Sequence, residues 1–246
     1  YGQHRGSFIF ASELKALRAV PGFKPEIDRH ALSEYFRWLN VPSPKTIYEG
    51  VNKLPPAHFM RISAAAPISH PQPYWSAFDV ANTASGLVDS ADLTDLLEEV
   101  LDGAVASQMV ADVPLGAFLS GGIDSSSVVA SMQRQSSKPV RTFTIGFTEP
   151  GYDESGYAAA VARALGTDHT ELVVSPEDAM RVIPDLPKIY DEPFADASQI
   201  PTYLVSRMAR DHVTVALSGD GGDELFGGYD RYSQIERLER LRNFFP

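Results

Sequence analysis

The sequence predicts an α/β fold built on a parallel sheet with helices on both faces, and three observations carry that prediction. From Ala91 onward, short apolar runs alternate with segments whose apolar residues recur at the helical period. Two glycine-rich loops, Ser120-Gly121-Gly122 and Ser218-Gly219-Asp220-Gly221-Gly222, each follow directly on one of those apolar runs. Residues 1–80, by contrast, are proline-rich and offer only short elements, too few to make a stable domain by themselves.

Phe8-Ile9-Phe10 reads as a short strand, and Ser12 as the cap of a helix through Leu17 with Gly22 after it. Asp28 is the expected N-cap of a helix carrying Ala31, Leu32, Tyr35, Phe36 and Leu39. Pro42, Pro44, Pro55 and Pro56 interrupt regular structure, and residues 57–62 read as one more strand. Residues 81–90 are small and polar, the expected linker between a unit at 1–80 and one at 91–246. Leu93, Leu96, Leu97, Val100, Leu101, Ala104, Val105 and Met109 then mark one long amphipathic helix.

Strands are expected at 115–119, 141–147, 170–174 and 213–217, with helices between them. Tyr157, Val161, Ala162 and Leu165 form a helix face ended by Gly166. Ser175-Pro176-Glu177-Asp178 is an N-cap with proline at the first helical position, and Ser198 opens a helix through Arg210. Leu204, Val205 and Met208 on that helix read as core.

The loop Ser120-Gly121-Gly122-Ile123-Asp124-Ser125-Ser126 sits between a strand and a helix start, where backbone N–H groups point outward unpaired and glycine lets an oxyanion approach. The serine hydroxyls add neutral donors, and Asp124 can hold a metal that neutralises phosphates. A lone Ser-Gly-Gly turn is common. Here the flanking strand and helix and the second loop favour a nucleotide triphosphate site, and no Gly-x-x-x-x-Gly-Lys-Ser/Thr stretch offers another. The second loop, continuing through Asp223 and Glu224, is either an acidic surface turn or the other half of that site. Two loops at strand C-termini converge in one crevice of an open sheet, and two facing carboxylates are tolerated best around a cation such as Mg²⁺.

The 246 residues suit one or two domains, and 43% hydrophobic with 22% charged residues is an ordinary globular composition. A net charge of −11 argues against nucleic acid as a partner, while a local glycine pocket with a cation still admits ATP. The absence of cysteine excludes disulfides and thiol chemistry in this chain. No apolar run reaches the ~18 residues of a membrane span, and the cytoplasm is the expected compartment.

Ser-Gly-Gly-Ile-Asp-Ser-Ser (120–126) resembles the PP-loop of the ATP pyrophosphatase superfamily, whose members cleave ATP to AMP and pyrophosphate. The stretches 190–204 (YDEPFADASQIPTYL) and 218–232 (SGDGGDELFGGYDRY) resemble the synthetase domain of class B, glutamine-hydrolysing asparagine synthases. Residues 8–17 (FIFASELKAL) resemble the end of that family's glutaminase domain, and 47–60 and 73–79 the segment joining the two. The resemblance implies a Rossmann-like sheet of the adenine nucleotide alpha hydrolase type, preceded by the C-terminal tail of an Ntn-type α+β glutaminase domain. It also implies an internal piece of a longer enzyme: the family's nucleophilic cysteine would lie upstream, and a lysine used in the ATP half-reaction downstream.

What the resemblance implies for function is asparagine synthesis from aspartate, ATP and glutamine-derived ammonia through a β-aspartyl-AMP intermediate. Ser120, Gly121, Gly122, Ser125 and Ser126 would hold the departing pyrophosphate, with Asp124 and Asp223 binding Mg²⁺ on it. Leu119 and Ile145 would flank adenine, and Ser218, Gly219 and Gly221 would approach the adenylate. Asp220 would orient the nucleophile or take its proton. Asp153 and Glu154 either approach the nucleotide or cap the following helix; Asp191, Glu192 and Asp196 are divided between site wall and solvated surface. His58 and His169 read as structural, and Tyr74-Trp75 as packing at a domain junction. The alternatives are a β-lactam synthetase-like or other carboxylate-adenylating ligase, and a non-catalytic nucleotide sensor. A homodimer is left open; neither membrane nor nucleic acid is an expected partner.

Overall fold

The computed structural model describes residues 1–63, 69–83, 91–149 and 153–242. In chain order the elements begin with strands β1 (Gly2–His4) and β2 (Ser7–Ile9), helices α1 (Leu14–Leu17) and α2 (Arg29–Trp38), strands β3 (His58–Phe59) and β4 (Gln72–Pro73), and helix α3 (Ala77–Thr83). There follow α4 (Ala91–Gln108), β5 (Leu115–Phe118), α5 (Ile123–Gln135), β6 (Arg141–Phe147), α6 (Ser155–Leu165), β7 (Asp168–Val174), α7 (Pro176–Val182), a 3₁₀ turn (Ile183–Asp185) and α8 (Leu186–Ile189). The last are α9 (Gln199–Arg210), β8 (Val215–Leu217), α10 (Gly222–Phe226) and α11 (Asp230–Arg242).

The chain divides into two units, one of Tyr1–Asp89 with Arg181–Ala197, the other of Ser90–Met180 with Ser198–Pro246. In the first unit, β1 pairs antiparallel with β2 and β3 with β4. The Asp28 carboxylate caps α2 as the sequence predicts, accepting from the amides of His30 at 2.8 Å and Ala31 at 3.2 Å. Those amides hold the Asp28 carboxyl below its ordinary range, the Ala31 bond foremost. The buried face of α2 carries Ala31, which packs with Val41 and Ile47. Ser12 does not cap α1: the helix starts two residues later behind Glu13 and has no side-chain cap. Of the expected strand at 57–62, His58 and Phe59 pair in strand register with Pro73 and Gln72, while Ala57 accepts from the Tyr74 amide and Arg61 bonds Ser69 beside them. Tyr74 and Trp75 are 70% and 54% exposed, not packed away. Of the expected linker, 81–83 close α3, and 84–90 lie outside the described residues.

Residues 181–197 belong to the first unit through four anchors. Glu192 accepts from the Ile47 amide at 2.6 Å and pairs with Lys53 at 2.6 Å. Asp191 accepts from the Lys15 amide at 2.9 Å, and the Ala195 amide donates to the Leu39 carbonyl at 2.8 Å. Asp191 and Glu192 are thus anchored within the first unit, not freely solvated.

The second unit is the predicted parallel sheet, in the order β7-β6-β5-β8. Its register pairs Gly116 with Arg141, and Ala117 with Leu217. Side chains alternate along β5, so Ala117 and Leu119 meet Val105 of α4, Val129 and Met132 of α5, and Ala158 and Ala162 of α6. Phe118 instead packs with Phe143, Val205, Met208 and Ala209, the last three on α9. Helices therefore cover both faces. The chain closes α6 through Gly166 at φ 71° and opens α7 through reciprocal Ser175–Asp178 hydrogen bonds, both as the sequence predicts. Only part of the apolar stripe of α4 is used: Val105 is buried, while Leu96, Leu97 and Val100 are 49%, 47% and 61% exposed.

Candidate functional site

The strand order reverses between β5 and β8. The sheet grows outward from β5 through β6 to β7 and then returns to add β8 on the other side. At such a reversal the loops leaving the two central strands diverge and leave a crevice at their carboxyl ends. The loop after β5 is Leu119–Gly122, leading into α5, and the loop after β8 is Ser218–Gly221, leading into α10.

The first loop is organised by its own side chains. Ser120 and Ser125 hydroxyls share a hydrogen bond at 2.9 Å, the Ser120 amide donates to Ser125 Oγ at 3.2 Å, and Ser125 Oγ donates to the Gly122 carbonyl at 3.3 Å. Ser125 is 8% exposed. Gly121 has φ +83°, and a Cβ there would lie 2.6 Å from the Ala158 amide nitrogen, so the turn requires glycine twice over. The first-turn amides of the 13-residue α5 have no intrahelical acceptor. Ser126 Oγ is buried without a hydrogen-bond partner, a neutral donor left free beside those amides.

The second loop leans on the first. A Cβ on Gly219 would come within 2.7 Å of the Ser125 amide nitrogen, and one on Gly222 would strike the Asp124 carboxylate, 2.5 Å from Oδ2. Glycine lets the backbone at 219 meet that of the first loop and the backbone at 222 meet the Asp124 carboxylate. Ser218 Oγ donates to Asp220 at 2.9 Å; Asp220 itself is exposed. Gly221, at φ +92°, is the left-handed residue that starts α10. Neither Asp124 nor Asp223 makes a side-chain hydrogen bond or ion pair among the described residues, and both are half-buried.

The profile of the asparagine synthase family matches residues 96–246, and that of the glutamine amidotransferase domain matches residues 1–75. The chain belongs to the asparagine synthase family. It is 37% identical over 235 residues to asparagine synthetase (glutamine-hydrolysing) 1 of Bacillus subtilis, covering 94% of this chain and 36% of that protein. A provisionally named glutamine-hydrolysing asparagine synthetase of Mycobacterium tuberculosis H37Rv is 40% identical over 236 residues, 93% of this chain and 35% of the relative. One of Methanocaldococcus jannaschii, also provisionally named, is 40% identical over 238 residues, 96% and 45%. The chain thus spans between a third and a half of the length of these relatives.

Both glycine loops lie within the asparagine synthase match. The structure brings together Ser120–Ser126 and Ser218–Asp223 on one unit, but it places other sequence-predicted residues differently. Leu119 is 1% exposed and belongs to the core against Val129, its amide donating to the Phe143 carbonyl at 2.9 Å. Ile145 is half-buried within β6. Asp153 caps the start of α6, accepting from the Ser155 amide at 3.1 Å, and that bond foremost lowers its pKa. His169 shares Thr142 Oγ1 at 2.9 Å, and burial pushes its pKa down. His58 meets the Pro56 carbonyl at 2.8 Å.

A network missed by the sequence reading follows the second loop. Tyr229 Oη donates to Glu224 Oε1 at 2.7 Å, which raises the phenol pKa to about 12 and lowers that of Glu224. The signal available was Glu224 and Tyr229 bracketing a Gly-Gly turn. A cavity of about 1090 Å³ lies in the first unit among Leu14, Val41 and Met60, with Asp191 and Glu192 on its wall.

Proposed function

We propose that the protein to which this chain belongs makes asparagine from aspartate and glutamine-derived ammonia at the expense of ATP, with residues 91–246 carrying part of the synthetase site, 1–80 part of the glutaminase region, and 81–90 linking them. The contact of Gly219 and Gly222 with Asp124 and Ser125 carries this reading, because it makes one crevice of two loops at the strand-order reversal. In this reading a carboxylate oxygen of aspartate attacks the α-phosphorus of ATP, the bond to the bridging oxygen breaks, and pyrophosphate leaves. Ammonia then attacks the acyl carbon of β-aspartyl-AMP, AMP departs, and a proton is lost.

The amides opening α5, with Ser120, Gly121, Gly122 and the unpartnered Ser126 hydroxyl, hold the departing pyrophosphate. Ser125 keeps that cradle in shape. Ser218, Gly219 and Gly221 bring backbone close to the adenylate, and Leu119 and Ile145, at two strand ends, flank adenine. Asp220 orients the incoming amine or accepts its proton.

Asp124 and Asp223 suit Mg²⁺. Among the described residues neither carboxylate has a hydrogen-bond or ion-pair partner that would compete with a cation, which would complete its shell with water and phosphate. When bound, Mg²⁺ would neutralise charge on the leaving pyrophosphate. No described helix is long and apolar enough to cross a membrane; the cytoplasm is the compartment this chemistry fits.

Exchange of labelled pyrophosphate into ATP tests the reading in the full-length protein. Exchange that requires aspartate is the expected result. Nucleotide binding with no aspartate-dependent exchange would move the assignment to another carboxylate or to a sensor.

A further inference from the structure

The two loops leave unexplained the segment that follows them. Tyr229 Oη reaches back to Glu224 on α10, closing the turn of Gly227 and Gly228. The Arg231 guanidinium lies 4.1 Å from the Tyr229 ring centroid and 5.9 Å from that of Tyr232, and the two rings meet edge-on at 5.7 Å. The closed turn runs directly over Asp223. The Gly228 amide donates to the Asp223 carbonyl at 3.0 Å, and a Cβ on Gly228 would collide with the Asp223 carboxylate. Gly227, at φ +69°, supplies the left-handed residue that turns the chain there.

Asp223 gains no orientation from a side-chain hydrogen bond, so its direction is set by the backbone packed against it. From this geometry we infer that the Tyr229–Glu224 hydrogen bond, braced by Arg231, is a strap that holds the Gly227-Gly228 turn across Asp223 and fixes where that carboxylate points. Tyr229 and Glu224 are therefore positioning residues for the cation carboxylate. The inference rests on the nucleotide-site reading of Asp223. The strap's side chains lie outside the sheet: Glu224 and Arg231 are exposed and Tyr229 is half-buried.

The test measures binding of α,β-methylene-ATP to the full-length protein across a range of free Mg²⁺, and again in EDTA. Tyr229→Phe and Glu224→Ala are expected to need about three- to tenfold more Mg²⁺ for half-maximal tightening, in line with the loss of one hydrogen bond. Glu224→Gln keeps an acceptor and is expected near wild type, and binding in EDTA should be unchanged in all three. An unaltered Mg²⁺ requirement in Tyr229→Phe, or an equal loss of binding in EDTA, would overturn the strap while leaving the nucleotide site standing. A wild-type protein whose binding ignores Mg²⁺ would overturn both.

Discussion

The two glycine loops lie side by side at neighbouring strand ends, yet they are held in different ways. The first ties itself: Ser120, Gly122 and Ser125 hydrogen-bond among themselves, and a 13-residue helix follows. The second carries the Ser218–Asp220 pair and a Gly222 amide donating to the Gly219 carbonyl at 3.2 Å, and it leads into a five-residue helix. It is held from outside, by its contact with Asp124 and Ser125 on one side and by the turn at Gly227-Gly228 on the other. A preorganised cradle costs nothing to form at the moment of reaction, whereas a loop shaped by its neighbours can adjust as the nucleotide enters. This suits the proposed division of labour, with phosphate on the first loop and the acyl-adenylate on the second.

Crowding the contact between the loops is the strongest way to break the comparison. Gly219→Ala places a methyl 2.7 Å from the Ser125 amide nitrogen, against backbone that cannot yield. Aspartate-dependent pyrophosphate exchange should fall by about a hundredfold or more, the scale expected when reacting groups shift by an ångström. Melting temperature measured alongside should fall as well, because the methyl crowds backbone at Asp124 and Ser125 and strains the folded state.

A serine pair separates scaffold from ligand contact in the first loop. Ser125→Ala removes a buried hydroxyl bonded within the loop and should cost about 1 kcal/mol in denaturant unfolding. Ser126→Ala removes an orphaned hydroxyl; it should leave stability unchanged or slightly improved while weakening ATP binding. Equal stability losses in the two variants would contradict the distinction.

The smallest effect reads the external hold on the second loop. Tyr229 should titrate at about 12 instead of its ordinary 10.0, seen by tyrosine-labelled NMR and absent in Tyr229→Phe. The phenol donates while protonated, and its folded pKa is raised. The contribution of this bond is therefore fully present below pH 10.0 and is lost as pH rises through about 12. Glu224→Ala should bring the titration back toward the ordinary value.

Much of the second unit was legible because its signals are local and periodic. Strand runs such as 141–147, the left-handed Gly166 and the capping Ser175–Asp178 pair each declare themselves within a few residues. The membership of 181–197 in the first unit was not legible, since it depends on Glu192 meeting the Ile47 amide 145 residues away. The start of α1 was misjudged because Ser12 has the right chemistry one residue too early. Leu119 looked like a pocket wall by its place at a strand end, but the alternation along β5 turns its side chain into the core. The sequence reads Gly219 and Gly221 as bringing backbone close to the adenylate. The structure gives glycine in this loop a further reason, the close approach of Gly219 and Gly222 to Asp124 and Ser125.

The central claim is that the two loops act as one cation-bridged site, and a double-mutant cycle on Asp124→Asn and Asp223→Asn tests it most directly. Mg²⁺-dependent ATP binding would be measured for wild type, both single variants and the double. If one cation joins the carboxylates, either single change removes most of the Mg²⁺ response and the double variant is little worse than the singles. Losses that simply add would mean two independent loops and would contradict the account.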